Sequence, residues 1–205
     1  MTTYLWKAMR KNLYSRYKKK KWTIGKWYKV KGELKMCDNG FHASEKVLDA
    51  MQYVPMECLA KVEVQGNHEE QSDKQCWREM KIVKAWKWGK KDSVALSIYA
   101  AELVIKNFEE EYPDDKRPRK AIQAAKKWLK NPTKKNQNAA RSAARSAALA
   151  ARSAAWSAAW SAAWSAESVA WSATWSAESV AWSAANLDKC ETWIQRRIKK
   201  LEEIK

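Results

Sequence analysis

The sequence predicts an α+β protein in which a small strand-rich N-terminal domain precedes an all-α helical bundle with Ala/Ser/Trp repeats. Three observations predict this order. Apolar and polar residues alternate with period two at 60–65 and 80–85, as expected for strands with one buried face. The apolar residues at 94–108 are dense and spaced as in a helix. Residues 133–185 contain no proline or glycine and carry an eleven-residue tryptophan repeat, close to the period of an α-helix.

Three segments are expected along the chain. Residues 1–21 form a basic arm with weak helical character, because its apolar residues Leu5, Met9 and Leu13 are four apart. Residues 22–90 form the small α+β domain. Within it, 23–30 and 33–36 are predicted as two strands around a Lys31-Gly32 turn, and 45–53 as a short helix. Residues 91–205 form the helical bundle domain.

Four helical stretches are predicted in the bundle domain. A central helix at 94–111 is apolar nearly all round, which is typical of a buried helix. A second helix has Pro118 in its first turn and ends near Lys130. The tract 139–185 is expected to break into two or three packed helices, since a single helix would be about 70 Å long. A final amphipathic helix runs from Leu187 to the end.

The chain is strongly basic, with a formal net charge of +17 at pH 7. Such a field attracts nucleic acid, acidic membrane surfaces or acidic proteins without choosing among them. The four cysteines are widely scattered and no apolar leader precedes them, so the reduced cytoplasm of a bacterial host cell is the expected location. No stretch of about 18 apolar residues would span a membrane.

A stripe of arginine and tryptophan is the main candidate binding surface. Its members recur at steps of four and seven residues, which keeps them on one helix face. They are Arg141, Arg145, Arg152, Trp156, Trp160, Trp164, Trp171, Trp175 and Trp182. The rings could stack nucleobases or a planar ligand while the arginines hold phosphates. Burial of the rings between helices is the interpretation we favour, and a homo-oligomeric seam is the third possibility.

Two charged clusters have both a structural and a functional interpretation. The run Lys18, Lys19, Lys20, Lys21 lies among aromatic residues and predicts either a solvated arm or a nucleic-acid site. In the turn before the second helix, acidic and basic residues predict charge pairing and capping, or else a recognition loop. These residues are Asp114, Asp115, Arg117 and Arg119.

The composition argues against an enzyme. The chain has two histidines and five glycines, with no Gly-x-Ser-x-Gly elbow and no phosphate-binding glycine loop. Zinc-competent atoms are present without Cys-x-x-Cys or His-x-x-x-His spacing, so neither a metal site nor a cofactor is expected. The residues concerned are Cys37, His42, Cys58, His68 and Cys76. His42 is interpreted as a local hydrogen-bonding residue.

Two segments resemble known families. The run from Tyr112 to Ile122, Tyr-Pro-Asp-Asp-Lys-Arg-Pro-Arg-Lys-Ala-Ile, precedes a helix and alanine-rich repeats. It resembles the helical "putative immunity protein" family of bacterial polymorphic toxin systems, over residues 95–185. That resemblance implies an all-helical bundle that works by binding. Residues 28–84, with Cys-x-x-Gly-Phe-His-Ala at 37–43, resemble a small domain of unknown function found in phage and prophage proteins.

Together these features predict a non-enzymatic phage or mobile-element inhibitor. It would neutralise a bacterial effector or defence component by binding that protein or its nucleotide signal. Two alternatives remain open. One is a basic nucleic-acid-binding protein that uses the lysine run, and the other is a self-assembling structural protein held together by its tryptophan faces.

Overall fold

The structure, a computed structural model, describes residues 2–16, 20–54, 56–144, 146 and 185–204. The chain divides into two compact units. The first comprises Met1–Lys90 together with Glu191–Lys205, and the second comprises Lys91–Cys190. An α+β composition is confirmed, because an antiparallel sheet is followed by several helices. The Ala/Ser/Trp repeats at 147–184 lie outside the described residues.

The first unit is built on an antiparallel five-stranded sheet with the order β1-β4-β5-β2, in which β3 also pairs with β5. Its strands are β1 Thr3–Met9, β2 Trp27–Lys29, β3 Phe41–Ala43, β4 Cys58–Glu70 and β5 Gln75–Lys87. A 3-10 turn at Lys11–Leu13 follows β1, and the short helix α1, Val47–Met51, follows β3. The helix expected at 45–53 is therefore confirmed.

The β4–β5 pair confirms the two strands predicted from period-two alternation. Val62 lies opposite Ile82 and Val64 opposite Met80, and all four side chains are buried. They belong to one core cluster that lies on a single face of the sheet. Both strands run further than the alternation indicated, because they continue through a register shift beyond Gln65.

The helical character expected near the N-terminus is wrong. Residues Thr3–Met9 form β1, which pairs antiparallel with β4 along its whole length. A spacing of four residues places side chains on one face of a strand as well as on one face of a helix. Leu5 and Met9 are therefore buried in the sheet core. Tyr4 and Trp6, which have high strand propensity, favour this outcome.

The hairpin expected around Lys31-Gly32 is also wrong. Only Trp27–Lys29 is a strand, and it pairs with β5 instead of with residues 33–36. Lys35 and Asn39 exchange backbone hydrogen bonds across a tight turn. The Asn39 side-chain amide donates to the carbonyl oxygens of Lys31 and Glu33. These local side-chain bonds compete with strand pairing.

The C-terminal segment completes the first unit. Residues 185–198 are helical, and the chain then turns back, so the helix expected to reach the end of the chain stops at residue 198. The backbone N–H of Lys87 donates to Glu202, and that of Ile204 donates to Ala85. The Ile204 side chain packs against the sheet core. Pairing with β5 and burial of Ile204 outweigh a further helical turn.

Glu191 in this segment supplies the cap that α1 lacks locally. The residue before α1, Lys46, makes no side-chain cap. The carboxylate of Glu191 accepts the N–H groups of Val47 and Leu48 at 3.1 and 3.2 Å. First-turn N–H groups have no partner within their own helix, so a carboxylate there stabilises the helix start.

The second unit contains α2, Lys90–Glu111, from residue 91 onward, and α3, Arg117–Lys130. Residues 134–144 are also helical. Both helices confirm the prediction, and Pro118 lies in the first turn of α3. Ile98 and Ile105 of α2 pack with Ile122 of α3. α2 is more one-sided than expected, because Val104 is 38% exposed. No helix in the described parts of the chain is both long and apolar enough to cross a membrane.

We expect Glu191→Ala to lower the free energy of unfolding by about 1–2 kcal/mol, because two backbone N–H groups of α1 lose a charged acceptor. Chemical denaturation monitored by circular dichroism measures this change. Glu110→Ala, an exposed glutamate in α2, is the matched control and should be near neutral. Equal stability of wild type and Glu191→Ala would show that the cap contributes nothing.

Candidate functional site

Most of the predicted tryptophan and arginine stripe lies outside the described residues. Arg141 lies within helical residues 134–144 and is exposed. The remaining members, Arg145, Arg152, Trp156, Trp160, Trp164, Trp171, Trp175 and Trp182, fall on residues that the structure does not describe. The ligand, core and seam interpretations of the stripe therefore stay predictions.

The predicted lysine run is partly described. Lys18 and Lys19 lie outside the described residues, and Lys21 is exposed. The Lys20 ammonium lies 4.3 Å from the ring centroid of Tyr28 and 4.6 Å from that of Phe41. It also lies 5.3 Å from the ring of Trp22. Lys20 therefore packs on an aromatic cluster by cation–π contacts and does not extend into solvent as a free arm.

A cavity of about 380 Å³ lies beside this cluster, within the first unit. Its walls come from β1, the segment after the 3-10 turn, the loop before β3, and the end of α1. Its charged and polar lining residues are Lys7, Ser15, Arg16, Lys20, Cys37, Asp38, His42, Ser44, Tyr53 and Lys74. Four of these are lysine or arginine and one is acidic, so the cavity is electropositive.

The Cys-x-x-Gly-Phe-His-Ala sequence at 37–43 forms one wall of the cavity. The backbone N–H of Cys37 donates to Nε2 of His42 at 3.0 Å, which is the local hydrogen bond expected for this histidine. Gly40 allows the loop to approach β5 closely. A Cβ atom at this position would lie 2.1 Å from Sγ of Cys76. The glycine and the histidine of the signature thus shape the loop.

Burial lowers the pKa of two basic groups in the cavity. Lys7 donates from Nζ to the carbonyl oxygen of His42, and desolvation lowers the pKa of Lys7 to about 8. Desolvation also lowers the pKa of His42 to about 4, with the charges of Lys7 and Lys74 adding to the effect. At neutral pH the lysine is therefore mostly charged and the histidine is neutral, with Nε2 free to accept the Cys37 N–H.

Two carboxylates outside the lining, Glu69 and Asp73, make hydrogen bonds to neutral donors. Glu69 accepts the backbone N–H of Met36 at 2.6 Å. Asp73 is hydrogen-bonded to the hydroxyl of Tyr53. Lys7 and Lys20 have no ion pair with a carboxylate in the described part of the chain. The lining thus holds four basic side chains and one acidic side chain, while the charges of Glu69 and Asp73 act on His42 and Lys74.

The zinc-competent residues do not converge. In the described ranges no group of three or more His, Cys, Asp or Glu residues is arranged to hold a metal ion. Cys58 and Cys76 are buried free thiols, and Cys37 is an exposed one. His68 stacks on Trp77 at a centroid distance of 4.1 Å.

The turn between α2 and α3 is held by surface ion pairs. Asp115 accepts from both the backbone and the side chain of Arg117, which lowers the pKa of Asp115 to about 2. Nε of Arg119 donates to Glu109 at 2.7 Å, a bidentate contact that joins α3 to α2. The charge pairing predicted for this turn is therefore observed. The ion pairs lie at the protein surface. Glu109 was missed because it lies on the preceding helix.

Sequence reasoning singled out Lys20 and the 37–43 motif but did not predict that they share a cavity with Lys7, Tyr53 and Lys74. Lys7 lies in the segment interpreted as an arm, and Tyr53 and Lys74 carry no motif. Two signals were available: the Cys-x-x-Gly-Phe-His-Ala sequence, whose loop the structure places in the cavity wall, and the lysine run, of which Lys20 lines the cavity. The strand pairings that bring Lys7, His42 and Lys74 together span residues far apart in sequence.

We expect Gly40→Ala to destabilise the first unit by about 2 kcal/mol, because the added methyl group overlaps the Cys76 sulfur. Thermal and chemical denaturation measure the change. Adding Cys76→Ala should restore part of the stability, since it removes the overlapping atom. Simple additivity of the two single substitutions would contradict the steric explanation.

We expect His42 to make folding less favourable in acid. Its folded pKa of about 4 is below its usual value, so the unfolded chain binds the proton first as the pH falls from about 6.5. The free energy of unfolding should decline over this window, and His42→Gln should lose that part of the decline. An NMR titration of the imidazole measures the pKa directly, and a value near 6.5 would refute the assignment.

Two family matches cover the chain. The family described as Imm-5 like putative immunity protein matches residues 87–204, which is more than half of the 205 residues. A domain of unknown function (DUF7666) matches residues 3–91. No curated protein and no solved structure matches the chain. Both resemblances noted from the sequence are thereby confirmed. The chain belongs to the Imm-5 like putative immunity protein family.

Proposed function

We propose that the protein is a non-enzymatic inhibitor that neutralises a bacterial effector or toxin by binding it through its helical domain. Membership of an immunity protein family is the observation that carries this proposal. Immunity by binding requires a recognition surface and no catalytic groups of its own. The DUF7666 match supplies no activity, so the helical unit is the part to which the inhibitory role is assigned.

The outer face of α3 is the recognition surface we propose. Its inner face carries Ile122 and Trp128, which are buried. Lys120 and Lys127 lie seven residues apart on the outer face, and Lys130 lies close to them. All three are exposed and take part in no ion pair among the described residues, whereas Lys126 pairs with Glu102.

This charge pattern favours an acidic partner. Exposed lysines without carboxylate partners attract an acidic surface and raise the rate of association. The Glu109–Arg119 and Glu102–Lys126 ion pairs join α3 to α2. The three exposed lysines therefore lie on a helix that is held in place. A surface on a rigidly held helix loses little conformational entropy on binding.

Growth rescue and complex formation test the proposal. The full chain is co-expressed with a panel of toxin and effector domains in a bacterial host. Those it rescues are mixed with it and examined by size-exclusion chromatography with light scattering. We expect rescue and a stable complex with the same partner, and an association rate that falls as salt is raised.

A charge-reversed variant locates the surface. Lys120→Glu with Lys127→Glu should slow association by on the order of tenfold or more, because two attractive charges become repulsive. Lys11→Glu with Lys31→Glu makes the same change in net charge at exposed sites of the first unit and is the matched control. Equal losses in both variants would contradict the α3 surface, and rescue without a complex would contradict inhibition by binding.

A further inference from the structure

We propose that the cavity of the first unit is a binding site for a small anion that carries a planar ring, of the nucleoside monophosphate class. The cavity lies within the part of the chain matched by DUF7666, and its lining residues all precede the Imm-5 like match. The site therefore lies in a different part of the chain from the helical unit proposed to bind the effector.

The charge arrangement favours an anion. The ammonium groups of Lys7 and Lys20 both lie within 6 Å of the centre of the Trp22 ring, and neither has a carboxylate partner among the described residues. Lys74 lines the same cavity. An ammonium group without a carboxylate partner at a partly desolvated site gains charge compensation when an anion binds beside it. A phosphate group provides several acceptor oxygens for such donors.

The remaining walls suit a flat, partly apolar body. Tyr53 lines the cavity and is half-buried. Lys74 lies 4.5 Å from the ring centroid of Tyr53, which places a cation beside an aromatic face. Rings of this kind stack nucleobases, while cations alongside hold phosphate.

The size of the cavity limits the ligand. Its volume of about 380 Å³ is at the lower end of the range for small-molecule pockets, about 300–1,000 Å³. This favours a mononucleotide over a larger cofactor. The neutral His42 and the hydroxyl of Ser15 add hydrogen-bonding groups without adding negative charge.

Isothermal titration calorimetry with the full chain tests the site. The probes are the four ribonucleoside 5′-monophosphates, the corresponding nucleosides, and inorganic phosphate. We expect saturable one-to-one binding of at least one monophosphate. Its nucleoside and inorganic phosphate should each bind at least about tenfold more weakly, because each lacks one of the two recognised parts.

Paired variants assign the binding to the cavity. Lys74→Gln should weaken the binding of that monophosphate by about tenfold, because a charge-assisted contact is lost. Lys31→Gln removes the same charge at an exposed position outside the cavity and should leave binding unchanged. Circular dichroism and the melting temperature confirm that both variants fold, and Lys74→Ala serves if Lys74→Gln does not.

Three results would overturn the proposal. They are no saturable binding of any monophosphate at millimolar concentration, equal affinity for inorganic phosphate and monophosphate, and equal losses in Lys74→Gln and Lys31→Gln. An oligonucleotide that binds more tightly than every monophosphate would also count against a mononucleotide site. Rescue of the host from the effector is measured in a separate experiment. The effector-binding proposal and the mononucleotide-binding proposal can therefore fail independently.

Discussion

The register between β4 and β5 is the constraint on which the first unit depends. Ala60, Val62 and Val64 face the same core as Met80, Ile82 and Ala85, and all six are buried. Side chains alternate between the two faces of a strand, so a slip of one residue would turn this set toward solvent. The pairing is therefore strongly specified by burial, and every other strand is positioned against it.

Both edges of this pair are used. β1 covers the free edge of β4 along seven residues. The free edge of β5 is shared by β3, β2 and, at Ala85 and Lys87, the C-terminal segment. Exposed strand edges carry unpaired N–H and carbonyl groups, and here these groups of β4 and β5 are paired with neighbouring segments, so that β1 and β2 become the outer strands. A single long strand thus organises four segments that are far apart in the sequence.

The C-terminal segment gives the chain an unusual division. Residues 191–204 fall within the Imm-5 like match, yet they belong to the first compact unit. Glu191 caps α1, and Ile204 is partly buried against the sheet core. The domain matched at 3–91 is therefore completed by residues from the end of the chain. Stability of the first unit and integrity of the C-terminus are linked for that reason.

The amino-acid sequence by itself determined the elements whose signal is local. The residue alternation that predicts β4 and β5 lies within each strand. The apolar spacing that predicts α2 and α3 lies within each helix, as does Pro118 at the start of α3. Each pattern follows from the repeat of its own backbone, so no distant residue is needed to interpret it. The family resemblances also rested on contiguous motifs.

Only the tertiary structure decided the rest. The spacing of Leu5 and Met9 fits a helix and a strand equally. Pairing with the edge of β4 selects the strand. Lys7, Lys20 and Lys74 meet at one cavity, and Glu109 meets Arg119, because strand register and helix packing bring them together. These long-range contacts form because the whole core is buried together. The free energy of that burial cannot be read from the sequence of any one segment.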